Sequence, residues 1–234
     1  MKSLIFCTSY VKDLGEWKNR YQKWIDYYID LPFSKDKALF LIDDGSDEEN
    51  LSEFNGNRYN EGGEINPLPP VLPPQVNLYH FKKRKGIFPE DNAPGLYGST
   101  LGWYRSFLFS SIIAKKNDYD KIIHIESDAY LLTQKVCDYI DSLDSGWNTL
   151  YCPMYHFPET SIQIICKDQF PSMLKLEAMP LDSFRLSQAE ETLPITHVEK
   201  GFVGDRYGER TTMQLPKIDY YNQCNLITKL KFRN

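Results

Sequence analysis

The stretch Ile122-Ile123-His124-Ile125-Glu126-Ser127-Asp128 decides the fold. Three isoleucines in four residues make a strand buried on both faces, as in parallel sheets covered by helices. Two carboxylates come next, two residues apart, where such a strand emerges. In extended backbone residues i and i+2 point the same way, so Glu126 and Asp128 converge. Paired carboxylates repel unless a cation lies between them or one takes up a proton. A hard dication with oxygen ligands, Mg²⁺ or Mn²⁺, meets that need and also bridges to phosphates. The competing explanation is a solvated strand end, with Asp128 capping the next element of the chain.

Upstream, Ala38-Leu39-Phe40-Leu41-Ile42 is a second apolar run, stopping abruptly at Asp43-Asp44-Gly45-Ser46. Adjacent acids on a rigid strand end can accept hydrogen bonds from a base or from ribose hydroxyls. Asp-Gly is also a common turn dipeptide, so a plain polar turn explains the four residues equally well. Further strands are expected from Ser3 to Thr8, Gln75 to Phe81, Leu150 to Cys152 and Ile162 to Cys166. Helical spacing marks Trp17, Tyr21, Trp24, Ile25 and Tyr28, then Leu101 to Ala114, and then Val136 to Leu143 behind a Thr133 cap. Helical stretches are also expected from Asp168 to Ala178 and from Asp182 to Glu191. Alternating strands and helices give an α/β class with a mainly parallel central sheet, whose ligands sit beyond the strands' carboxyl ends. The Pro- and Gly-rich stretch 55–74 reads as an exposed loop inside one domain.

The chain has 234 residues, 27 Lys plus Arg against 32 Asp plus Glu, and a net charge of −5. That balance argues against bulk binding to nucleic acid or anionic membrane. No apolar run reaches the roughly 20 residues that cross a bilayer. The apolar start is too short for a secretory signal, and five cysteines without a CxxC pair suit reduced thiols in a cytoplasmic protein, with peripheral membrane contact left open.

With acids at two strand ends in order, the sequence resembles the GT-A family of nucleotide-sugar glycosyltransferases. The resemblance covers roughly Ser3 to Cys166. It rests on the first strand ending in Thr8-Ser9-Tyr10, the Ile42-Asp43-Asp44-Gly45-Ser46 turn, the helix carrying Arg105, and the acid triplet. It implies a single GT-A (Rossmann-like) domain, with 1–130 binding the donor and 131–234 the acceptor. Thr8, Ser9, Tyr10, Asp43, Asp44, Arg105 and Ser127 would bind the nucleotide sugar. Asp128 and Glu126 would hold Mn²⁺ or Mg²⁺, although Glu126-Ser127-Asp128 departs from the family's DxD at its first position. Glu190 or Glu191 resembles the family's catalytic base, and His197 its C-terminal metal ligand. His156, Glu159, Trp147 and Tyr155 are candidates for the acceptor pocket.

The implied partners are a nucleoside-diphosphate sugar, with a uridine diphosphate sugar favoured, and a glycan or glycoconjugate hydroxyl. The acid pair tilts the stereochemistry toward inversion. Two other readings compete. A sugar nucleotidyltransferase would carry a Gly-rich basic loop after strand one, and Tyr10 to Gly15 is not one. A non-catalytic carbohydrate-binding module would not explain carboxylates at two strand ends.

Overall fold

In β1 (Lys2–Ser9), Leu4 and Phe6 point to one side of the sheet and Ile5 and Cys7 to the other, all fully buried. A strand buried on both faces needs a helical layer on each. A computed structural model describes that arrangement for residues 1–65, 75–85, 100–152, 156–184, 188–206, 218–223 and 232.

The further strands are β2 (Asp36–Asp43), β3 (Asn57–Asn60), β4 (Val76–His80), β5 (Lys121–Ile125), β6 (Tyr130–Leu131), β7 (Trp147–Cys152), β8 (Phe157–Cys166), β9 (His197–Glu199), β10 (Gly204–Asp205) and β11 (Tyr220–Tyr221). The main sheet runs β3-β4-β2-β1-β5-β8-β7-β9. β8 alone runs against the others, because it pairs antiparallel with both β5 and β7. The small sheet β10-β11-β6 joins the C-terminal segment to the strand just after the acid triplet.

The helices are α1 (Leu14–Glu16), α2 (Gln22–Ile29), α3 (Leu101–Lys116), α4 (Gln134–Ser142), α5 (Phe170–Glu177) and α6 (Ala189–Thr192). Trp24, Ile25 and Tyr28 of α2 and Val136, Cys137 and Ile140 of α4 pack on the Ile5–Cys7 face. Tyr104 and Phe107 of α3 and Phe170 and Met173 of α5 cover the Leu4–Phe6 face. The expected α/β class with a mostly parallel central sheet is what the chain forms.

Several expectations change. The stretch 55–74 is not all loop: Asn57–Asn60 forms the edge strand β3, with Asn57 Nδ2 donating to Gln75 and Asn77 side chains at 3.1 and 3.2 Å. A four-residue polar edge strand has no apolar alternation to betray it. Residues 66–74 lie outside the described residues. The helix expected from Asp182 to Glu191 is a short 3₁₀ turn at Leu181–Phe184 and the four-residue α6. Thr133 precedes α4 without making a cap bond, and its hydroxyl donates to Asp219 at 2.9 Å. Cys7, Cys137, Cys152 and Cys166 are buried free thiols, and Cys224 lies outside the described residues.

Candidate active site

The carboxyl ends of β1, β2 and β5 lie side by side, because Ser9 pairs with Asp43 and Phe6 with both Phe40 and His124. Asp43 is fully buried and already engaged. Its Oδ2 accepts from the Gly45 and Ser46 amides at 3.1 and 2.8 Å and lies 2.8 Å from His80 Nδ1. Its Oδ1 accepts from the hydroxyls of Ser9 and Ser46. Asp43 therefore shapes the turn, and Asp44, also buried, is left to bond with neighbouring segments.

Gly45 adopts a φ of +86°, and a Cβ there would lie 2.5 Å from the Arg84 amide nitrogen. The absence of a side chain lets the basic segment 82–85 close onto the turn. Asp44 then accepts from the Lys85 amide at 3.0 Å and from Arg105 Nη2. The same Arg105 nitrogen donates to the Lys83 carbonyl at 2.8 Å, and its guanidinium lies 3.9 Å from the Phe81 ring centroid. Arg84 stacks over Tyr10 at 4.4 Å. A cationic, aromatic-backed rim thus lies over the ends of β1 and β2.

At the acid triplet, Glu126 accepts from the Thr8 hydroxyl at 3.1 Å and from the Trp103 indole, and His124 Nε2 lies 3.1 Å away. Burial pushes its carboxyl up, but His124, the Trp103 bond and Arg20 outweigh that and leave it below the usual range. Asp128 is moved the other way: burial and the Glu126 charge raise it more than Arg20 and Arg206 lower it. Arg20 Nε donates to the Ser127 hydroxyl at 2.6 Å, and Nη2 lies 3.3 Å from Asp128 Oδ2.

On the other side of the triplet, β8 begins. The Glu126 amide donates to the Ser161 carbonyl at 2.9 Å, which brings Glu159, Thr160 and Ser161 alongside. Glu159 is fully buried, and its Oε1 accepts from Asn222 at 2.6 Å and the Ser161 hydroxyl at 2.9 Å, with Arg206 Nη1 at 3.4 Å. Burial holds its carboxyl above the usual range despite those partners. Glu190 is tied to this edge by the Thr160 hydroxyl at 2.8 Å, while Glu191 is exposed.

Thr8, Ser9, Tyr10, Asp43, Asp44, Arg105, Glu126, Ser127 and Asp128 are thus gathered at one end of the sheet, with Glu190 at its rim. His197 is not among them. It lies on β9, paired with Asn148 of β7 and three strands from β5, which is roughly 14 Å at normal strand spacing. Trp147 is fully buried and donates to Gln163 at 2.8 Å, so it belongs to the core and does not line an acceptor pocket. His156 is exposed, and Tyr155 lies outside the described residues. His124 packs among Phe6, Trp103 and Phe107, as a core histidine should, yet it also faces Glu126.

Sequence reasoning missed Arg20 and Arg206. Arg20 sits on a π-helical turn, Trp17–Tyr21, closed by the Gln22 amide on the Trp17 carbonyl. Its neighbours Trp17 and Tyr21 carried the helical signal, and a lone arginine between them looks like a solvated charge. Arg206 comes just after Gly201 to Asp205, a stretch legible only as a loop.

The implied dication does not find a ready berth. Among the described residues no three or more His, Cys, Asp or Glu side chains gather at metal-binding spacing. Glu126 has its oxygens on Thr8, Trp103 and His124, and the cation beside Asp128 is Arg20. As arranged, the two carboxylates do not fit a shared metal ion.

No family model matches the chain, and no curated relative does. Among solved structures it is similar to a crystal structure of a glycosyltransferase involved in the glycosylation of the major capsid of PBCV-1. The TM-score is 0.48 and the identity 11%, over 96% of this chain and 95% of that one. What the chain itself establishes is a mixed α/β domain whose polar residues converge beyond the carboxyl ends of a mostly parallel sheet.

Proposed function

We propose that the chain transfers a sugar from a nucleoside-diphosphate donor, a uridine diphosphate sugar being favoured, to a hydroxyl of a glycan or glycoconjugate. The observation that carries this reading is the gathering of Thr8, Tyr10, Asp44 and the Glu126-Ser127-Asp128 triplet, with Arg20, Arg84 and Arg105, at one sheet end. Open parallel sheets bind their ligands there. Tyr10 with Arg84 would offer a stacking face to a base, and the buried Asp44 would hold Arg105 and segment 82–85 in place beside it.

In the transfer, the bond between the anomeric carbon and the β-phosphate oxygen breaks, and its electron pair stays on that oxygen. The acceptor oxygen bonds to the anomeric carbon and gives up its proton. Glu190, which accepts from the Thr160 hydroxyl at 2.8 Å, would take that proton from the far side of the sugar, as inversion requires. Cationic donors facing the departing diphosphate would stabilise its growing charge.

The test is a screen of nucleotide sugars against the purified protein, reading released nucleoside diphosphate. Release from one donor class, raised by a glycan acceptor, is the expected outcome. Pyrophosphate formation from a sugar 1-phosphate and a nucleoside triphosphate would instead identify a nucleotidyltransferase. Glycan binding with no nucleotide binding at all would identify a carbohydrate-binding module.

A further inference from the structure

We propose that Arg20, assisted by Arg206, is the cation that receives the donor diphosphate, so that donor binding needs no divalent metal. This deepens the glycosyltransferase reading and rests on it.

The geometry of Arg20 points to an anion that is larger than a carboxylate. Its Nε is committed, donating to Ser127 at 2.6 Å. Its two terminal nitrogens are held loosely: Nη1 is 3.6 Å from Glu16 and Nη2 is 3.3 Å from Asp128. Charge-assisted bonds normally close to about 2.7–2.9 Å. The Arg20 side chain is 37% exposed and the Asp128 side chain 20%, so solvent reaches this ion pair. A phosphate presents two oxygens to that fork and would engage both nitrogens at once.

Arg206 repeats the pattern. Its guanidinium lies over the Phe157 ring at 4.7 Å, with Nη1 3.4 Å from Glu159 at the start of β8, the strand beside the triplet. Glu159 is locked by Asn222 and Ser161, so it positions Arg206 from behind. Two guanidiniums carry the positive charge of one dication. During transfer they would face the β-phosphate oxygen that keeps the electron pair of the broken anomeric bond. The acceptor's proton leaves separately to Glu190, and no redox partner is required.

The π turn explains how Arg20 arrives. An i→i+5 bond adds a residue to the turn and rotates the next side chains relative to a regular α-helix. Arg20 is thereby directed at the triplet while Trp17 and Tyr21, on either side of it, stay in the core.

The experiment is calorimetric titration of uridine and guanosine diphosphates into metal-stripped protein, in EDTA and again in Mn²⁺. The inference expects affinities within about threefold of each other in the two buffers. It expects Arg20→Ala to weaken binding about tenfold or more in both, roughly 1.4 kcal/mol. Arg20→Lys, which keeps the charge but not the fork, should recover part of the loss, and Arg206→Ala should weaken binding as well. Melting curves of each variant show whether it is folded, and the lysine variant covers an unfolded Arg20→Ala. Binding seen only with Mn²⁺, or Arg20 variants within twofold of the wild type, overturns the inference but leaves the glycosyltransferase reading standing. No binding of either nucleotide to the wild type in either buffer overturns both.

Discussion

Gly45 and Gly62 form a matched pair in which one backbone conformation serves two different purposes. Gly45 has φ +86° and Gly62 has φ +85°. A Cβ on Gly62 would meet nothing within 4 Å, whereas one on Gly45 would sit 2.5 Å from the Arg84 nitrogen and 2.6 Å from the Lys83 carbonyl carbon. Placing alanine in a left-handed conformation costs roughly 1–2 kcal/mol. That is the whole expected cost of Gly62→Ala. Gly45→Ala adds a collision with backbone, which cannot rotate away, and overpacking of that kind costs roughly 1–3 kcal/mol more. A domain of this size loses roughly 2–4 °C of melting temperature per kcal/mol. Taking about 1 kcal/mol for Gly62→Ala and about 3 kcal/mol for Gly45→Ala gives drops of roughly 2–4 °C and 6–12 °C. The collision also pushes segment 82–85 off the turn, carrying Arg84 away from Tyr10 and the Lys85 amide from Asp44. Uridine diphosphate affinity should therefore fall about tenfold in Gly45→Ala and stay unchanged in Gly62→Ala. The assay is a thermal melt with and without the nucleotide. Equal melting shifts for the two variants would refute the packing argument, and an intact nucleotide effect in Gly45→Ala would refute the role given to the basic segment.

Three further outcomes rest on single contacts. Asp44→Ala strips the largely buried Arg105 of its carboxylate and should cost roughly 3–5 kcal/mol in a urea melt; a loss under about 1 kcal/mol would contradict the pairing. Glu190→Gln should slow transfer to acceptor by about a hundredfold or more while leaving uridine diphosphate affinity unchanged, and a normal rate would remove Glu190 as the base. Lys37 is buried with its ammonium on the Leu31 carbonyl, and burial lowers its pKa from 10.5 to about 8. The unfolded chain therefore binds the extra proton between those values, and the lysine's contribution to stability rises with pH from about 8 to 10.5. Lys37→Met removes that dependence, so its stability relative to the wild type should be greatest below pH 8 and shrink, by up to about 3 kcal/mol, toward pH 10.5. A difference independent of pH would contradict the assignment.

Much of the fold was legible because burial leaves a pattern. The isoleucines of β5 and the apolar runs of β1 and β2 could only be central strands, and the carboxyl ends of β2 and β5 lead into the acids that gather in the site. Short elements left no such trace: β3, β6, β10 and β11 span two to four residues each, too few for a periodicity. Local sequence also hides which partner a side chain takes. Asp43 and Asp44 are adjacent and chemically identical, yet one is consumed by its own turn and by His80, and the other by Arg105. Arg20 is 107 and 108 residues from Ser127 and Asp128, so nothing near it in the sequence marks its place at the triplet. Trp147 shows the converse: an aromatic suited to stacking on a sugar is spent on the core, bonded to Gln163.

A crystal structure of the protein with uridine diphosphate, grown in chelator, tests the central claim most directly. The base should lie beside Tyr10, beyond the ends of β1 and β2, with phosphate oxygens within hydrogen-bonding distance of both terminal nitrogens of Arg20. Nucleotide lodged at another edge of the sheet, or phosphates turned away from Arg20, would contradict it.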